Sequence, residues 1–190
     1  MNYEQYGISR DEALRLLDNY IANRNMIKHC LATEAVLRSL ADKLGEDPDK
    51  WGLAGLLHDL DVEKQPDLAT HTQETVQVLG ELGIDPEIID AISMHNEQAH
   101  SHRRSTTFHH ALAAGETITG LIIASALVRP DKKLCSVKPK SVRKRFKEKA
   151  FARGADREII RECEMVGLEV GEFCELALRA MQDIAGDLEL

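Results

Sequence analysis

A histidine and an aspartate stand side by side at positions 58 and 59, behind the apolar stretch Trp51, Leu53, Leu56, Leu57 and ahead of Leu60 and Asp61. A neutral imidazole offers a ring nitrogen, and a carboxylate offers an anionic oxygen pair that can bridge two cations. Adjacent residues on a helix point about 100° apart, so both reach one ion only where other helices converge on them. The exposed carbonyls at a helix C-terminus add negative potential that favours a cation there.

Three further histidines could complete such a site. His29 is followed by Ala32, Val36 and Leu40 at i+3, i+7 and i+11, so it faces inward. Ile88, Ile92 and His95 share one helix face, and His71 falls in the first turn of a helix. Taken singly, His29 and His95 read as core histidines bonded to a backbone carbonyl, and His71 as a surface residue. Taken with the His-Asp pair, they are hard to explain as independent residues. Imidazoles and carboxylates suit one or two divalent transition metals (Mn, Fe, Co, Ni or Zn) better than Ca or Mg. Such an ion lowers the pKa of bound water from 15.7 towards about 7, and a pair about 3.5–4 Å apart can neutralise phosphoryl oxygens.

The order His29, His58-Asp59, His71, His95 and then an acidic residue shortly before Thr119-Gly120-Leu121-Ile122 resembles the HD-domain metal-dependent phosphohydrolases, most closely the small HDIG-type members. The resemblance covers about residues 25 to 130. It implies a compact all-α bundle that cleaves a phosphoester by attack of metal-activated water, with His58 and Asp59 at the catalytic centre. By the same resemblance, His29, His58 and Asp59 match three ligands of a first metal. His71 and His95 match the ligands that two-metal members use for a second, with Asp59 bridging. Two departures stand out. The dipeptide is followed by Leu60-Asp61 rather than Ile-Gly, and the last ligand, aspartate in the family, is matched here by Glu116.

Glutamate reaches one methylene further than aspartate, so Glu116 could ligate from a slightly displaced backbone or through a water. Leu112 and Ile123 share its face, while Thr119 and Gly120 are small enough to leave room for an ion. The alternative is an exposed helix carboxylate. Asp61 is either a second acidic contributor or an acceptor for a neighbouring ring nitrogen. For phosphate, Arg103 and Arg104 could form a bidentate clamp. Lys144, within the basic run Lys138 to Lys149, offers a second cationic surface, against the alternative of a solvated helix face. His100, His102, His109 and His110 are taken as surface or substrate-side residues.

The elements that must position these groups all read as helices. Ser9 to Glu12 is a capping box, and a helix from Met26 to Leu44 ends at Gly45. Asp47-Pro48 and Asp85-Pro86 each pair an N-cap with proline at the first helical position. Thr70-His71-Thr72-Gln73 reads as a second capping box, opening a helix that stops near Gly83. A long helix from Thr107 to Val128 is closed by Pro130, and a basic helix from Ser141 to Arg153 ends at Gly154. From Asp156 the pattern stays helical, with a break around Gly167. No stretch alternates as a strand does. We divide the chain into a metal-binding helical core over 1–134 and a C-terminal helical extension over 135–190, packed on the core.

Composition narrows the function classes. Apolar residues make up 43% and charged residues 29%, the balance of a folded protein. Net charge is −8, yet eleven Lys and Arg face two acids between Arg129 and Arg153. That asymmetry fits an anionic partner or a solvated face equally well. Aromatics at 4% and the lack of a reader motif count against nucleic acid. Four cysteines without a C-x-x-C pair read as reduced thiols. The N-terminus does not read as a signal peptide, and the apolar run Leu121 to Val128 is too short to span a bilayer, so a cytoplasmic protein without membrane partners is expected. The substrate expected is a nucleotide or other small phosphorylated metabolite. Two competing readings remain: an HD-fold di-iron oxygenase using the same ligand set, and a non-catalytic regulatory helical module.

Overall fold

Ser9 accepts a bond from the backbone of Glu12 while the Glu12 carboxylate reaches back to the Ser9 N–H, and this reciprocal cap starts α1 (Arg10–Tyr20). The computed structural model describes residues 1–190 and contains ten α-helices and no strand. After α1 come α2 (Arg24–Leu44), α3 (Pro48–Leu57), α4 (Gln73–Glu81), α5 (Pro86–His95) and α6 (Thr107–Leu127). The C-terminal part holds α7 (Pro139–Lys147), α8 (Arg157–Arg161), α9 (Val170–Asp183) and α10 (Ala185–Leu188). Asp47 and Asp85 cap α3 and α5 through their side chains, each with proline at the start of the helix.

Helices α2 and α3 lie against each other more extensively than any other pair. Gly55 makes this possible: a Cβ there would come within 2.9 Å of the backbone of Thr33 and Glu34. Backbone therefore meets backbone one turn from His29 on α2 and just before His58 on α3. Glu34, buried in the same junction, is held by both guanidinium arms of Arg10 at 2.8 and 2.9 Å and by the Tyr3 hydroxyl at 2.5 Å. Pairing is what allows a carboxylate to be buried there.

Helix α6 runs through the centre, touching α2, α3, α5, α7, α8 and α9. Its length and composition would allow it to cross a membrane, beyond what the run Leu121 to Val128 suggested, but most of its apolar surface is buried in the core. One continuous apolar core reaches from Tyr3 to Leu188. All four cysteines are free, three of them buried.

Two helices differ from the sequence expectation. The residues Thr70 to Gln73 form no capping box. Thr72 sits in the left-handed region at φ 84° with no side-chain bond to the helix, and the Thr70 hydroxyl turns to Gln65. The N-terminus of α4 is capped from a distance instead. The Asp61 carboxylate accepts the backbone N–H groups of Thr72, Glu74 and Thr75 at 3.1–3.2 Å. The basic helix α7 is also shorter than expected, stopping at Lys147 rather than running to Arg153. The Arg157 guanidinium donates to the carbonyls of Arg145, Phe146, Glu148, Phe151, Ala152 and Ala155. Those carbonyls turn towards one cation, where a continuing helix would need them for its own ladder.

Candidate metal centre

His58 is the C-cap of α3, and its Nδ1 lies 2.9 Å from the Gly55 carbonyl. His95 ends α5 in the same way, with Nδ1 2.6 Å from the Ile92 carbonyl. A carbonyl only accepts, so Nδ1 carries the proton in both rings and Nε2 is left with its lone pair. His29 is fixed by a relay. The Thr119 hydroxyl donates to the Glu116 carbonyl at 2.7 Å and takes the His29 Nδ1–H at 2.9 Å. His71 places Nδ1 2.8 Å from the Asp61 carboxylate, while Asn96 donates to the His71 and Leu68 carbonyls and so holds that loop.

The four Nε2 atoms meet in pairs. Those of His29 and His58 are 3.1 Å apart, and so are those of His71 and His95. Asp59 lies between the pairs, one oxygen 3.4–3.6 Å from His29 and His58, the other 3.1–3.5 Å from His71 and His95. Glu116 Oε2 is 3.9 Å from His29 Nε2, and the Glu116 carboxylate also takes the Thr117 hydroxyl. Two nitrogen lone pairs aimed at each other at this range repel unless a proton or a cation stands between them. This donor set therefore fits metal ions: His29, His58 and Asp59 could hold one, and Asp59, His71 and His95 another.

Burial and mutual proximity shift these groups in different directions. Burial pushes the His58 imidazole down to about 3, so it is neutral and free to ligate. Burial would raise the Asp59 carboxyl, but His58, His71 and His95 overcome it and hold Asp59 well below the usual carboxylate range. For His71, burial lowers the pKa, yet hydrogen bonds to Asp59 and Asp61 carry it up to about 9. Burial raises Glu116 above its ordinary value, against the pull of His29 and His95.

The cluster forms the floor of an open cleft of about 450 Å³. Around it stand Gln65, Gln98, Thr117 and Gly120, with Gly154, Ala155, Asp156 and Ile159 supplying the outer wall. None of the cations expected to grip phosphate lines this cleft. The Arg104 side chain is only 6% exposed and is committed to Glu162, Glu97 and the carbonyls of Met94 and His95. Arg103 is 87% exposed and pairs with Glu97, and Lys144 is 78% exposed beside Glu148. The remaining histidines are not all surface residues: His109 is buried against Asp90 at 2.7 Å, and His110 bonds Glu162 at 2.7 Å. His100 and His102 border a neighbouring depression. Sequence reading missed Gln65, Asn96 and the 154–156 wall. These residues have common loop side chains and no periodic pattern to mark them.

A family model, the HD domain, matches residues 26–127, more than half of the chain. The chain belongs to the HD-domain family. No solved structure matches it. Membership places the protein in a superfamily of metal-dependent hydrolases, and the matched segment of this HD domain carries all six residues of the histidine and carboxylate cluster. The outer wall, from Gly154 onward, lies beyond it.

Proposed function

We propose that this HD-domain protein is a phosphohydrolase that cleaves the phosphoester of a small phosphorylated metabolite, using one or two divalent transition metals. The observation that carries this reading is the pair of facing Nε2 couples on either side of Asp59. His29, His58, Asp59 and Glu116 would hold one ion, and Asp59, His71 and His95 a second. The ions would supply Lewis acidity for water activation and for phosphoryl charge.

The chain's own residues do the rest. The carbonyls of Gly55 and Ile92 and the Thr119 hydroxyl keep three rings in one tautomer and orientation, and the Asp61 carboxylate stands 2.8 Å from Nδ1 of the fourth, His71. Asp59 stays ionised and is the only carboxylate shared by both groups. The cleft admits an ester together with water. In the reaction the water oxygen forms a bond to phosphorus, the bond from phosphorus to the ester oxygen breaks, and the proton given up by the water is balanced by the one the departing alcohol takes.

The test is elemental analysis of the purified protein followed by phosphate release from a panel of phosphoesters with the metal so identified. Stoichiometric transition metal and metal-dependent phosphate release are expected. Metal-loaded protein that releases no phosphate but consumes dioxygen would replace this reading with the di-iron oxygenase, and protein unable to bind metal would leave a regulatory module.

A further inference from the structure

The cleft around the histidine cluster is acidic. Asp59, Glu116 and Asp156 line it, and no lysine or arginine does. Enzymes that take polyanions line their sites with Arg and Lys clamps, because each added negative charge needs a partner once water is excluded. Here even two divalent ions, set against three carboxylates, leave one positive charge for the whole cleft. The neighbouring depression adds none. Its Arg103 and Arg104 face Glu97, Glu158 and Glu162, and Arg104 is already paired within that set.

The wall made by Gly154, Ala155 and Asp156 holds the third carboxylate. Arg157 gathers the carbonyls of the 145–155 segment and so fixes Gly154, Ala155 and Asp156 against the cleft. Asp156 is exposed, and one of its oxygens accepts the Glu158 N–H at 2.8 Å as the cap of α8. Its other oxygen has no protein partner. Gln98, also exposed at the cleft, makes no side-chain bond, and the Gln65 amide uses only its oxygen. These groups offer a carboxylate oxygen and two amides to the organic half of a ligand.

We propose, resting on the phosphohydrolase reading, that the substrate is a single-phosphate ester whose organic part is cationic or an uncharged donor. On this proposal, the cleft discriminates against a second anionic group. The phosphate faces the ion-holding floor, and the organic part faces Asp156, Gln98 and Gln65. Polyphosphates and carboxylated phosphoesters are disfavoured because nothing on the wall compensates their extra charge.

Three small probes carry a distal cation, no distal charge and a distal anion respectively: phosphoethanolamine, glycerol 1-phosphate and 3-phosphoglycerate. Their dissociation constants, measured by calorimetry on metal-loaded protein, should rise in that order, with about tenfold between the first and last. Asp156→Asn keeps the helix cap and should narrow the gap severalfold. Gln98→Lys should favour 3-phosphoglycerate. Both effects should shrink as salt is raised. Equal or tighter binding of 3-phosphoglycerate by the wild type, or no binding of any probe, overturns the proposal. Binding in the expected order without phosphate release from any probe would remove the hydrolytic reading and leave the charge preference standing.

Discussion

The Asp61 carboxylate contacts Nδ1 of His71 at 2.8 Å while accepting three backbone N–H groups at the start of α4. One buried side chain thus ties the orientation of an imidazole to the start of a helix. Replacing Asp61 with Asn should weaken the second equivalent of metal about 10–100-fold and leave the first nearly unchanged. Metal titration by calorimetry reads both steps, and equal affinities in variant and wild type would dismiss the coupling.

Asp59→Ala should abolish metal-dependent hydrolysis in a protein whose far-UV circular dichroism is still helical. Retained turnover at the wild-type rate would remove the mechanism. Glu116→Gln, which keeps shape and loses charge, should lower metal content; unchanged stoichiometry would put the ligand elsewhere.

Gly55→Ala forces a methyl group into the backbone of α2. Overpacking of this kind costs about 1–3 kcal/mol. Because the displaced helix carries His58, metal affinity should fall with stability. Urea unfolding and metal titration on the same sample check the pair, and a loss of stability with unchanged affinity would separate them.

Arg157→Ala leaves a set of carbonyls without their donor. A loss of about 2–3 kcal/mol is expected from charge-assisted bonds of this kind. Lysine should not restore it, since an ammonium cannot span the same fan of acceptors. Denaturation of both variants decides this, and full rescue by lysine would reduce Arg157 to a point charge.

Acid should weaken the tie that Asp49 makes to the N-terminus and to Arg38. Burial would raise the Asp49 carboxyl, but hydrogen bonds from the Asn2 N–H and the Arg38 guanidinium leave it below its ordinary 3.8. A depressed carboxyl contributes stability above the unfolded value, and that contribution is lost as pH falls through the folded one. Wild type should therefore lose more stability than Asp49→Asn between pH 5 and pH 2–3, as read by urea unfolding. Parallel curves would show that the pairing contributes nothing.

The helical plan was legible because its signals are local, whereas the grouping of His29, His58, Asp59, His71, His95 and Glu116 was suggested by their resemblance to the HD-domain order and by no local pattern. Caps, helical spacing and the His-Asp pair are written in neighbouring residues. Long-range bonds override such signals. Asp61 displaced the capping box at Thr70 to Gln73 by reaching the start of α4 from eleven to fourteen residues upstream. Arg157 ended α7 by drawing its carbonyls away. Arg104 looked like a phosphate clamp from its place after His95, but Glu162, 58 residues further along, claims it. A side chain's partner over such separations is set by packing, which no window of sequence contains.

The outer wall of the cleft is made by chain that follows the region matched to the HD domain. Cradle and gatekeeper are therefore written in separate stretches of the polypeptide. Exchanging the segment after residue 127 between related chains should change which compounds are admitted while the affinity for ions stays as it was. Selection can then tune selectivity in this protein without disturbing the imidazoles beneath.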